Sequence, residues 1–216
     1  MAKARNNIVV EVDSPIEETC AAMMLIKKLG QKNELPFDLS IAYDFDYDGE
    51  GVYYPTTRRQ RNRIFINPFR CRKQEETIRN NGEEPFCPGY TADLTLFGVT
   101  LHEFSHFLTW RIFPRMMDDF KRTFPRQRLY LNDYCNNEYY DELAEILTLY
   151  ITNPFLLKLI SKEHWEFCRS YFKSPVACTK QKFEHIYQGY PIHVKEHLRE
   201  KWGIIYNICT EEFERI

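Results

Sequence analysis

The sequence predicts an α+β fold, with a small sheet in the first third of the chain and helices in the remainder. Three observations predict it. Short runs rich in β-branched and aromatic residues lie at 7–13 (NIVVEVD), 39–45 (LSIAYDF), 51–55 (GVYYP) and 61–68 (RNRIFINP). From Thr91 onward the apolar period changes to three and four, the spacing of amphipathic helices. A length of 216 residues, 44% hydrophobic and 28% charged, is enough for one proper core.

Each element has a local reason. After the strand at 7–13, Ser14-Pro15 with Glu17 and Glu18 sets up a helix N-terminus, and Gly30 is expected to end that helix near Leu29. In the run at 61–68, Asn62, Ile64 and Ile66 alternate with Arg61, Arg63 and Phe65, which suits a strand with one wet face. Residues 69–90 are polar and punctuated by Asn80-Asn81-Gly82, Pro85 and Pro88; they read as a long loop with at most one short helix. Leu94, Phe97, Leu101, Phe104 and Leu108 form the apolar stripe of a helix that ends near Pro114. A second helix is expected over 138–152, and Pro154 opens a third that runs on through Phe172. The rest reads as helical and turn-like, broken at Pro175, Gly189–Pro191 and Gly203. The division expected is a domain at 1–160 and a helical extension at 161–216 packed on it.

Composition narrows the partners. A net charge of −2 gives no reason to expect nucleic acid or an anionic membrane. The seven cysteines are scattered, odd in number and never spaced C-x-x-C, which suits a reduced compartment better than a disulfide framework. MAKARNNIVVEV lacks the apolar region of a signal peptide, and the stretch Ala21–Ile26 is far too short to span a bilayer. The expected setting is a cytoplasm or an assembled particle such as a virion, not the secreted space.

The chemistry is carried by LHEFSHFLTW, residues 101–110. His102 and His106 are four apart on the predicted helix and project from one face, offset from the apolar stripe and flanked by the small residues Gly98 and Ser105. Glu103 is placed to polarise a water on a metal held by the two imidazoles, the logic of an H-E-x-x-H zinc hydrolase. Two histidines do not close a zinc shell. A third ligand is expected from NEYYDELAEILTLYITNP (137–154), which carries Glu138, Asp141, Glu142 and Glu145 on one helix. Asp141/Glu145 are spaced i,i+4 with the small Ala144 on their face; Glu138/Glu142 share the spacing without it. Spacing therefore favours Asp141 weakly and leaves Glu142 and Glu138 open.

HEFSH followed by DELAEILTLYITNP resembles the lethal-factor-like clan of gluzincin metallopeptidases, whose small, phage-associated members pair HEFxH with E-x-F-A-E and continue into Y-x-T-N-P. The similarity covers roughly residues 94–160. It implies a zincin-like fold and a zinc cofactor. It puts Asp141 in the ligand position, Ala144 in the small position and Glu145 where a carboxylate bonds a ligating histidine, with Tyr150 and Thr152-Asn153-Pro154 in register. It also implies that Tyr134, seven residues before the ligand, stabilises the oxyanion. The family's ligand is Glu, so Asp141 is a departure. A side chain one methylene shorter must be carried closer by its helix, or Glu142 or Glu138 takes over.

Other motifs are weaker. His193-Val-Lys-Glu196-His197 fits the inverted H-x-x-E-H pattern, but its flanks are charged all round and no carboxylate-bearing helix follows. Asp44, Asp46, Asp48 and Gly49 begin like a calcium loop, yet position twelve is Pro55; an acidic hairpin turn is expected. The basic run Arg58–Arg63 reads as protection for a strand edge.

The function expected is a zinc metalloprotease, a hydrolase in which Glu103 is the general base and a peptide or protein substrate lies along an edge strand such as 61–67. The alternative is a metal-binding but inactive zincin-like component of a larger assembly, docked through the C-terminal helices.

Overall fold

Val9–Val12 (β1), Asp38–Tyr43 (β2), Gly51–Tyr54 (β3) and Asn62–Ile66 (β4) form one four-stranded sheet in the order β1-β2-β4-β3. The computed structural model describes residues 9–12, 16–35, 38–54, 62–81, 95–125, 129, 131, 138–174, 199–200, 203–207 and 212–215. β1, β2 and β4 run parallel, and β3 is antiparallel to β4. Register pairs Ile41 with Ile64 and Ile64 with Tyr53, so these three share a face. That face is buried, together with Leu39 and Ile66.

Two expectations about the sheet are corrected here. The strand at 62–66 lies inside the sheet, and β3 is the edge. The acidic segment 44–50 is a turn, but not a hairpin turn, because the strands it joins are separated by β4. Asp44 Oδ1 accepts the N–H groups of Asp46 and Tyr47, both at 3.1 Å, a local turn that competes with metal-loop geometry. Asn67 holds the turn from below, its Nδ2 donating to the carbonyls of Phe45 at 3.2 Å and Tyr47 at 2.7 Å.

Glu17–Asn33 (α1) follows β1 and continues past Gly30. A glycine inside a helix costs about 1 kcal/mol, and here the helix continues because its last turn is fixed from outside. Asn33 Nδ2 donates to Leu29 O and Ser174 O, and its Oδ1 accepts Ser174 N–H at 2.9 Å. The left-handed cap, usually glycine, is Glu34 at φ 55°, and Leu35 N–H returns to Gly30 O at 2.9 Å. Pro68–Asn80 (α2) is a full helix where a loop is expected. Its start is capped by Asn67 Oδ1, which accepts from Phe69 and Arg70. Among its described side chains Pro68, Cys71 and Glu75 are buried and the others are exposed.

Leu96–Phe107 (α3) is capped by Thr95, whose Oγ1 accepts Gly98 N–H at 3.1 Å. Phe97, Leu101, Phe104 and Leu108 are buried as the stripe predicts. Past Phe107 the helix widens into a π-turn over 108–112, closed by Phe113 N–H to Leu108 O at 2.7 Å. Met116–Thr123 (α4), Tyr139–Thr152 (α5), Pro154–Ile160 (α6) and Lys162–Tyr171 (α7) complete the helices. The expected single helix from Pro154 is two, because Ser161 turns extended and caps α7 through His164 N–H. Beyond it, Ile204–Asn207 (β5) and Glu212–Arg215 (β6) pair antiparallel, where helix and turn were expected.

α3 is the central element. It packs on β3 and β4, on α1 and on α5, and α5 in turn meets α4, α6 and α7. One core runs from Ala22 in α1 through the sheet and α3 to Cys168 and Phe172. Among the described cysteines, Cys71 and Cys168 are buried, and Cys71 Sγ donates to Glu50 O at 3.8 Å. No helix among the described residues is long and apolar enough to cross a membrane.

Candidate metal centre

α3 and α5 approach closely because small residues face each other: Ser105 Oγ lies 3.3 Å from Thr148 Oγ1, and each hydroxyl bonds back to its own helix. This brings the first turn of α5 over the histidine face of α3. His102 Nε2 and His106 Nε2 are 3.1 Å apart. Asp141 Oδ1 lies 3.5 Å from His106 Nε2 and 3.8 Å from His102 Nε2. Among the described residues, these three form a group that could hold a metal ion. A tetrahedral ion with bonds near 2.0–2.1 Å sets its ligands about 3.3 Å apart, so the three atoms span the edges of such a shell.

Tautomer and charge fit as well. Glu145 Oε1 lies 2.5 Å from His102 Nδ1; a carboxylate only accepts, so Nδ1 carries a proton and Nε2 is the nitrogen that faces His106 and Asp141. Burial opposes a charge on His102, but the carboxylates of Asp141 and Glu145 outweigh it and push the ring up to about 10. The same contacts hold Asp141 far below the ordinary carboxylate range.

The neighbours have separate duties. Glu103 is buried, 8% exposed, and the Tyr53 backbone N–H of β3 donates to its carboxylate. Burial raises its pKa, while the two imidazoles and that N–H pull it back. Glu142 points elsewhere: its Oε1 accepts Leu129 N–H at 2.5 Å, so it anchors the segment before α5 and is not beside the histidines. Glu138 is the exposed residue that precedes α5. Tyr134, the His193–His197 motif and residues 58–61 of the basic run lie outside the described residues.

Two features of the site escape a reading of motifs. Gly51 lets β3 come against α3: a Cβ there would stand 2.6 Å from Val99 Cγ1 and 3.0 Å from Glu103 Cγ. Its sequence signal, Gly49-Glu50-Gly51, is easily taken for an ordinary turn. Trp110 stacks on Tyr140, next to Asp141, at 5.6 Å and 14°. Its signal is an aromatic four residues past His106. Comparison of the chain with protein-family models, curated proteins and solved structures finds no match.

Proposed function

We propose that this protein is a zinc-dependent peptidase of gluzincin type, with a zincin-like domain built on the sheet and α3. Two neutral-nitrogen ligands and one carboxylate are the donor set that suits zinc in a hydrolase, with a fourth position left for water. His102, His106 and Asp141 would hold the zinc, which would supply Lewis acidity at the site. Glu103 takes the proton of the attacking water and delivers it to the leaving amine. Glu145 keeps His102 in the tautomer that presents Nε2. Tyr134 is assigned to the developing oxyanion, a role that can be worth about 3 kcal/mol.

The substrate is an extended peptide added along β3, an edge strand among the described residues, whose Tyr53 N–H touches Glu103. The single observation that carries the reading is this buried carboxylate beside the trio. A site that served only to clamp the fold would have no use for a general base. Glu103→Gln tests it: peptide cleavage falls by roughly 10²–10⁴-fold while the metal stays bound. Unchanged function in a metal-loaded Glu103→Gln protein would leave the structural-component reading instead.

A further inference from the structure

Trp110 is an expensive residue to leave in water. It is 53% exposed, although its neighbours Phe107 and Leu108 on the same segment are fully buried and supply the core contacts. It is not loose. Its ring lies nearly parallel to that of Tyr140, 5.6 Å between centroids, and Lys121 Nζ stands 4.6 Å from the Tyr140 centroid. Both rings are tied to the ligand set by short stretches of backbone: Tyr140 precedes Asp141, and Trp110 lies four residues past His106. Trp110 lies within the π-turn, off the core-facing stripe of Phe97, Leu101, Phe104 and Leu108. The result is a flat aromatic platform joined by short stretches of backbone to His106 and Asp141.

We infer that the Trp110–Tyr140 platform is the specificity subsite for the substrate side chain next to the scissile bond, and that it selects a neutral aromatic or large apolar group. The inference rests on the metallopeptidase reading and adds its substrate class. A flat ring rewards stacking and apolar burial. Charge beside the platform disfavours a cationic side chain, because Lys121 Nζ already stands over the Tyr140 ring. An aromatic pair held rigid before binding loses little entropy when a third ring joins it.

The test uses probes that share one metal-binding group: acetohydroxamate, 2-phenylacetohydroxamate and the hydroxamate of 6-aminohexanoic acid, titrated by calorimetry into zinc-loaded protein. Wild type is expected to bind the phenyl probe about tenfold tighter than the methyl one. In Trp110→Ala this ratio falls to about two or less with methyl binding and zinc content unchanged, and Trp110→Phe restores most of it. An equal ratio in wild type and Trp110→Ala overturns the subsite while the metal site stands. A preference for the ammonium probe overturns the neutral-side-chain assignment. Failure of all three probes to bind the zinc-loaded protein overturns the open metal site and the subsite with it.

Discussion

Asp141 reaches the histidine pair at 3.5 and 3.8 Å although its side chain is a methylene shorter than glutamate. The helix makes up the difference, because Ser105, Ala144 and Thr148 let α5 sit close on α3. Asp141, Glu142 and Glu145 are alike on paper, and their partners separate them. Glu145→Gln is expected to weaken metal affinity by roughly 10–100-fold without removing a ligand, read by competition with a chelator of known affinity. Glu142→Ala is expected to keep its metal but lose about 1–3 kcal/mol in denaturant, because Leu129 N–H loses its acceptor. His164 makes a separate prediction. It is buried against Phe124 at 3.9 Å, and burial lowers its pKa to about 4 from the ordinary 6.5. The folded state then binds fewer protons than the unfolded one between these values, so this contribution is present above pH 6.5 and lost as pH falls toward 4. The loss is about 3 kcal/mol at most, and His164→Leu should flatten the slope of stability against pH over that window.

Among the elements, those with a strong period were legible. α3 and α5 lie within the expected segments because their apolar and small positions recur at helical spacing. α2 was not legible, since most of its described side chains face solvent and its start is set by the Asn67 cap. The order of the strands was hidden for a different reason. Pairing is a non-local property, and nothing in the alternation of 62–66 reveals that β3 would lie outside it. This matters to the proposed function, since it moves the proposed peptide edge from 61–67 to 51–54. The contact of β3 with α3 depends on Gly51. Gly51→Val is expected to cost about 1–3 kcal/mol and to push the strand off the helix, since a Cβ there already stands 2.6 Å from Val99 Cγ1. Thermal denaturation reads the stability, and cleavage at full metal occupancy reads the displaced strand.

At the scale of the whole molecule, the metal trio sits where α3 meets α5, and both helices belong to the one core that reaches Phe172. A chain cut after Ile160 should therefore fail to fold cooperatively, because Cys168 and Phe172 leave that core. Binding at the trio should in turn stabilise the whole fold: zinc at a hundredfold excess over its Kd adds about 2.7 kcal/mol, and a chelator removes it. The histidine pair was legible because H-E-x-x-H is local, whereas the Asp141 carboxylate comes from a helix some forty residues on and only packing brings it beside them. The most direct test of the account is metal content per chain, measured on wild type and on His102→Ala, Asp141→Ala and Glu142→Ala variants shown to be folded. The account predicts roughly one zinc in wild type and Glu142→Ala, and none in the other two. Zinc retained in Asp141→Ala, or no zinc in wild type after metal is added back, would contradict it.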